Sequence, residues 1–123
     1  MSDNPSELLL ETGSQGSCRV LKAAGRVDFS TVPQFQDTLM EEAGEVAAGN
    51  GLIVDLGGLD LITSAGLRVL MQTKKKLSGE GAKLVVTGVD GTVADVFRVS
   101  RFDTLLTLKP TIEDGLAGFA GGA

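Results

Sequence analysis

The fold is decided by residues 52–70, LIVDLGGLDLITSAGLRVL, where the period of the hydrophobic pattern changes. Residues 52–56 form a short, nearly continuous run of apolar side chains, which is typical of a strand covered on both faces. The chain is expected to leave the sheet at Gly57-Gly58 and to turn through residues 59–63. From Ser64 onward, apolar residues recur at helical spacing, as Leu67, Leu70, Met71 and Leu77. A central strand therefore passes into a helix near Ser64.

The residues before this stretch predict a hairpin and a helix. Apolar segments at residues 8–10 and 20–24 flank the turn-rich residues 13–16, which indicates two antiparallel strands. Residues 31–34, TVPQ, match a capping box with proline in the first turn. The pattern that follows predicts a helix over residues 32–47, because apolar residues recur at helical spacing as Val32, Phe35, Leu39, Ala43 and Val46.

The alternation of strand and helix continues after the central helix. Residues 83–87 predict a strand, Asp90 is expected to cap the next helix, and residues 104–108 predict another strand. A final helix opens at Thr111. The order ββαβαβαβα predicts an α/β fold, with a mixed sheet of about five strands packed against about four helices.

The size of the chain predicts one domain. Its 123 residues and 12.7 kDa are enough for a single core, whereas two cores would each be near the lower limit of stability. We expect the domain to span residues 1–123, with flexible tails at about residues 1–6 and 120–123. No secretory signal is evident and no apolar run approaches the ~20 residues that span a bilayer, so we expect a cytoplasmic protein without a membrane partner.

The charge of the chain argues against nucleic acid as a partner. Eleven basic residues stand against sixteen acidic ones, a net charge of −5 that repels a polyanion. The only basic cluster, KKK at residues 74–76, is typical of the solvated end of a helix. Cys18 is the only cysteine, which excludes an intramolecular disulfide, and its alternation with Val20 indicates a buried strand position.

The sequence gives little support for a catalytic site, and we expect that the protein is not an enzyme. The chain has no histidine, and Ile62 replaces the first glycine of a Gly-x-Ser-x-Gly motif around Ser64. Three carboxylates near strand ends are candidates to bind Mg²⁺ through oxygen, but turns and caps are the commoner role for this residue type. These are Asp28, Asp55 and Asp60. A small-ligand carrier is permitted by the fold, although no residue requires one.

Ser64 admits two interpretations. A hydroxyl at a helix start lies beside backbone N–H groups without helical partners, where a phosphate would be stabilised. Serine is also common at a helix start as an ordinary cap, and residue physics alone favours the interpretation of Ser64 as a cap.

A resemblance to a known family changes this balance. Residues 55–70, DLGGLDLITSAGLRVL, resemble the signature of the STAS domain, which is found in bacterial anti-sigma factor antagonists and in sulfate-transporter tails. Residues 25–28, GRVD, resemble the family's turn after the second strand, and residues 111–117 are similar to its closing helix entry. The absence of a membrane segment resembles the antagonist branch.

The resemblance implies a phosphorylation switch. Ser64 would be the phosphoacceptor of a serine kinase of the GHKL ATPase type that is also the anti-sigma factor. The unphosphorylated form would bind this kinase and release sigma factor, and a phosphatase would reset the switch. ATP and Mg²⁺ would belong to the kinase, so this chain would need no cofactor. The partner-binding residues implied are Asp28, Asp60, Thr63, Ser64, Ala65, Gly66, Leu67 and Arg68.

One departure from the family pattern leaves an alternative open. Many phosphorylated members have aspartate immediately before the acceptor, whereas this chain has Thr63. Either the kinase contact differs in this chain or Thr63 is an alternative acceptor. The other reading is a non-phosphorylated interaction or scaffold module in a stress-signalling or transporter-regulating complex.

Overall fold

Five strands form one mixed sheet in the computed structural model, which describes residues 7–120. Their order across the sheet is the order along the chain, with β1 and β2 antiparallel and every later pair parallel. The strands are β1 Leu8–Gln15, β2 Cys18–Val27, β3 Gly51–Ile62, β4 Lys83–Thr87 and β5 Leu108–Lys109. The predicted mixed sheet is therefore confirmed, as is the opening hairpin, although its turn is confined to Gly16 and Ser17.

Four helices of nine residues or more, and one short helix, connect and cover the strands in the described part of the chain. They are α1 Val32–Gly44, α2 Ser64–Gly79, α3 Gly91–Val99, α4 Phe102–Leu105 and α5 Ile112–Ala120. Apart from α4, the element order is the predicted one. Within residues 7–120, no helix has the length and apolarity needed to cross a membrane. The predicted tails lie outside the described residues, except that residue 120 ends α5.

The two faces of the sheet carry separate apolar clusters. On one face, buried strand residues pack with α1, α2 and α3, and the largest fully buried side chains, Phe35 and Phe97, lie there. On the other face a smaller cluster, which includes Cys18 and Val20, packs against α5. The buried position predicted for Cys18 is confirmed. Helices on both faces explain why the strand at residues 52–56 is apolar except for Asp55.

One ion pair ties α1 to the sheet. The guanidinium of Arg19 on β2 donates to both carboxylate oxygens of Glu42 on α1, at 2.9 and 3.2 Å. The Glu42 side chain is only 9% exposed, so this pair holds a nearly buried charge. The helix ends at Gly44, shortly after Glu42 and before the predicted residue 47.

The central strand is longer than predicted. The sequence suggested an exit from the sheet at Gly57-Gly58, but β3 continues to Ile62 beside β2. Two register shifts between the strands accommodate this extension. A Cβ atom at Gly58 would lie 2.9 Å from the Cβ of Ala24, so a glycine is needed where the two backbones approach. Gly57 and Gly58 therefore lie within an irregular strand and do not form a turn.

The prediction of a strand at residues 104–108 is wrong for most of that segment. Residues 102–105 form α4, and β5 starts only at Leu108. Arg101 precedes α4 with a left-handed φ of 63°, and its carbonyl accepts hydrogen bonds from the backbone and side chain of Thr104. Leu106 then packs into the core. An apolar run this short is compatible with either period, so the sequence could not distinguish them.

Candidate functional site

The carboxyl ends of β2 and β3 bring two distant segments together. Val27 and Ile62 are the last paired residues of these parallel strands. The Thr63 amide then donates to the Val27 carbonyl over 3.1 Å. As a result, the loop that follows β2 lies beside the start of α2.

Thr63 caps α2, and Ser64 is its first helical residue. Thr63 has an extended backbone, and its Oγ1 accepts from the Gly66 amide at 3.4 Å. The interpretation of Ser64 as the cap is therefore wrong by one residue. Ser64 is exposed, and the structure records no hydrogen bond from its hydroxyl to any residue between 7 and 120. The cap is thus held by one hydroxyl, and the neighbouring hydroxyl points into solvent.

The first turn of α2 packs directly on the strand ends. A Cβ atom at Gly66 would lie 2.7 Å from Val27 Cγ1 and 2.8 Å from Ile62 Cγ1, so there is no space for a side chain. Leu67 is fully buried. The resemblance implied that Gly66 and Leu67 contact the partner. The structure corrects this, because both residues face the core. They fix the position of their exposed neighbours.

The other predicted surface residues do reach solvent. Arg68 and Asp60 are exposed, and Ala65 and Thr63 are half-buried. Arg68 is four positions after Ser64 on α2, which places the two residues on the same side of the helix. The exposed set therefore combines a free hydroxyl with both signs of charge.

Asp28 organises the loop between β2 and α1. Its Oδ1 accepts from the Ser30 amide at 3.0 Å and from the Ser30 hydroxyl at 2.8 Å. Its amide donates to Thr31 Oγ1 at 2.9 Å, and that hydroxyl donates to the Arg26 carbonyl at 2.9 Å. Thr31 is the N-cap of α1 by position, but the predicted capping box is wrong because its side chain bonds to the loop. Asp28 has the turn role that the sequence favoured.

The three candidate metal ligands are not gathered. Asp55 lies within β3 and accepts from the Thr87 hydroxyl of β4 at 2.8 Å. Asp28 is committed to its loop and Asp60 lies near the end of β3. Across the described residues, no three Asp, Glu or Cys side chains are close enough to hold a metal ion.

Four cavities of the described chain lie away from Ser64. They measure 210 to 460 Å³, and none of these four is lined by residues 27–31 or 60–70. The largest of the four is beside Leu9, Lys22 and Asp55. A protein partner, in contrast to a small ligand, does not need a concave pocket.

Sequence reasoning missed Phe29, which is next to Asp28 and has 87% of its surface exposed. It is the most exposed of the large apolar side chains in residues 7–120. A single apolar residue in a turn has no periodicity, so only its position between a strand and a helix cap could have drawn attention to it.

Comparison with known proteins agrees with this geometry. A model of the STAS domain matches residues 10–115. The anti-sigma-F factor antagonist RsfB of Mycobacterium tuberculosis is 26% identical over 120 residues, which are 96% of this chain and 94% of RsfB.

Solved structures share the fold. A crystal structure of an anti-sigma factor antagonist from Mycobacterium paratuberculosis superposes with a TM-score of 0.85 at 20% identity, covering 97% of this chain and 99% of that one. SpoIIAA of Bacillus in its phosphorylated form gives a TM-score of 0.66 at 16% identity, with 89% and 97% covered. With most of its length matched by the family model, the chain belongs to the STAS domain family.

Proposed function

We propose that this protein is an anti-sigma factor antagonist whose binding to its partner is switched by phosphorylation of Ser64. The observation that supports this most directly is the exposed, uncommitted hydroxyl of Ser64 at the start of α2. RsfB, the Mycobacterium paratuberculosis protein and SpoIIAA are named as antagonists, and SpoIIAA was also solved in a phosphorylated form. The protein would act by binding and not by catalysis.

Ser64 is favoured over Thr63 as the acceptor. The Thr63 hydroxyl caps α2 and its side chain is half-buried, so its modification would disturb the helix start. Ser64 would accept a phosphoryl group without losing a hydrogen bond to a described residue. The first turn of α2 supplies unpaired backbone N–H groups and a favourable dipole, and Arg68 is one helical turn away.

In the proposed reaction, Ser64 Oγ attacks the γ-phosphorus of ATP held by the partner kinase. The new O–P bond forms as the bond to ADP breaks, and a base of the kinase accepts the hydroxyl proton. A GHKL-type serine kinase, which is also the anti-sigma factor, would supply ATP and Mg²⁺ in the cytoplasm. A separate phosphatase would hydrolyse the phosphoserine and restore binding.

The phosphate would weaken binding through its charge. It adds about −1.5 to −2 charges to a surface whose adjoining segments, the loop after β2 and the end of β3, already carry the carboxylates of Asp28 and Asp60. Repulsion and desolvation of a few kcal/mol would lower affinity by roughly 100-fold or more, since each 1.4 kcal/mol is about tenfold. Because phosphate suits a helix N-terminus, the domain would stay folded while its partner dissociates.

The first test is the site of phosphorylation. The wild-type, Ser64→Ala and Thr63→Ala proteins are incubated with ATP, Mg²⁺ and lysate of the source organism, and then measured by intact and peptide mass spectrometry. We expect one phosphoryl group that is lost only in Ser64→Ala. Loss only in Thr63→Ala would move the acceptor, and no phosphorylation of any variant would favour the scaffold alternative.

The second test separates charge at the site from charge in general. Ser64→Asp is compared with Ser78→Asp, which places the same charge on an exposed serine at the other end of α2. Calorimetric titration with each purified anti-sigma factor of the source organism should show weaker binding for Ser64→Asp alone. Equal affinities for both variants would contradict the switch.

A further inference from the structure

The side chain of Phe29 is exposed to solvent in the folded protein. Its side chain is 87% exposed, in a loop otherwise made of polar residues. Aromatic side chains are large apolar surfaces and are enriched at the buried centres of protein interfaces. An aromatic ring this exposed on an otherwise well-packed domain has a large apolar surface that a partner protein can bury.

Hydrogen bonds on both sides of Phe29 constrain the loop. The residues on both sides are fixed, because Asp28 Oδ1 accepts from Ser30 and the Asp28 amide donates to Thr31. The amides of Thr31 and Val32 both donate to the Asp28 carbonyl, at 3.1 and 2.9 Å. A residue in such a turn is preorganised, so a partner that covers it loses little additional backbone entropy.

Phe29 and Ser64 lie within one interface footprint. Phe29 is two residues beyond Val27, whose carbonyl accepts from the Thr63 amide, and Ser64 follows Thr63. A standard interface buries about 800 Å² on each partner, equivalent to a disc of about 16 Å radius. Two residues of chain span at most about 7 Å, so Phe29 lies within this radius of the Ser64 segment.

We propose that Phe29 is the apolar anchor of this surface and inserts into an apolar pocket of the anti-sigma factor, beside the site that binds Ser64. This inference rests on the proposed function. Burial of Phe29 would supply affinity that does not depend on the phosphate. Phosphorylation of Ser64 would prevent the complex from forming. The shape of the ring would also select among anti-sigma factors with different pockets.

The test compares Phe29→Ala with Val99→Ala, which removes an apolar side chain that is 79% exposed on α3. Affinity for each purified anti-sigma factor of the source organism is measured by titration, and thermal unfolding is followed by circular dichroism. We expect Phe29→Ala to weaken binding at least about 30-fold, the size of an interface hot spot, and Val99→Ala to change it less than about threefold. Neither exposed residue should be needed for folding.

A spectroscopic readout makes the test independent of affinity. The chain contains no tryptophan, so Phe29→Trp introduces a single indole whose emission reports its surroundings. A blue shift on addition of the anti-sigma factor, after subtraction of the partner's own emission, would support burial of the ring.

Three outcomes would overturn the anchor. Unchanged emission from Phe29→Trp in the bound complex is one, and wild-type affinity in Phe29→Ala is another. If either occurs while Ser64→Asp still loses binding, only the anchor fails. If wild-type protein binds none of the anti-sigma factors, the proposed function fails and the anchor fails with it.

Discussion

The substitution Gly66→Ala should destabilise the domain, although alanine is the better helix former. Its Cβ would lie 2.7 and 2.8 Å from side-chain atoms of Val27 and Ile62, both of which are buried and cannot move aside freely. Overpacking of this kind costs about 1–3 kcal/mol. A shift of the helix would also break the 3.4 Å bond to Thr63 Oγ1, at a cost of about 1 kcal/mol. That loss roughly cancels the helix propensity of alanine, which favours it by about 1 kcal/mol.

The net effect is a loss of about 1–3 kcal/mol, which urea denaturation can measure. With a slope near 2 kcal/mol/M, the midpoint should fall by roughly 0.5–1.5 M. Gly79→Ala is the matched control in the same helix, because no atom lies within 4 Å of its Cβ position. The control midpoint should stay constant or rise by up to about 0.5 M. A Gly66→Ala protein as stable as Gly79→Ala would refute the tight seating of α2 on the strand ends.

Two further predictions concern Cys18 and Arg19 of β2. Burial raises the pKa of the Cys18 thiol, and hydrogen bonds with the Ser17 side chain and the Gly51 backbone lower it only in part, so the group stays protonated at pH 8. Its reaction with iodoacetamide should therefore be slow in the native protein and fast in urea, and rapid native alkylation would contradict the burial. The Glu42 carboxylate raises the pKa of the Arg19 guanidinium through their hydrogen bonds. Arg19→Met should destabilise the protein more than the Arg19→Met/Glu42→Leu double variant, because only the single change leaves Glu42 buried without its cation. Thermal unfolding of the two proteins compares them, and a double variant that is less stable than Arg19→Met would show that the unpaired Glu42 carboxylate is not the cause of the loss.

The sequence was informative where a segment had a clear apolar run or a helical spacing. The strand at residues 83–87 was predicted to its exact bounds. Gly57-Gly58 was misread because a glycine pair is typical of both a turn and a close approach of two backbones. Only the pairing of β3 with β2 distinguishes them.

The candidate site was located from the family resemblance more than from residue physics. Composition and spacing alone favoured Ser64 as a helix cap. The difference between capping by Thr63 and by Ser64 is one residue, which is finer than helix boundaries can be read from sequence. Phe29 was missed because side-chain exposure in a turn depends on the tertiary structure around it.

The single hydrogen bond between the Thr63 amide and the Val27 carbonyl joins two segments that are far apart in the sequence. On the proposed function, a kinase that recognises both segments recognises a finished tertiary structure. A nascent, truncated or heat-damaged chain would still contain the serine but would lack the neighbouring loop. Only correctly folded molecules would then take part in the switch. The amount of sigma factor released would therefore depend on the concentration of folded antagonist and not on its total concentration.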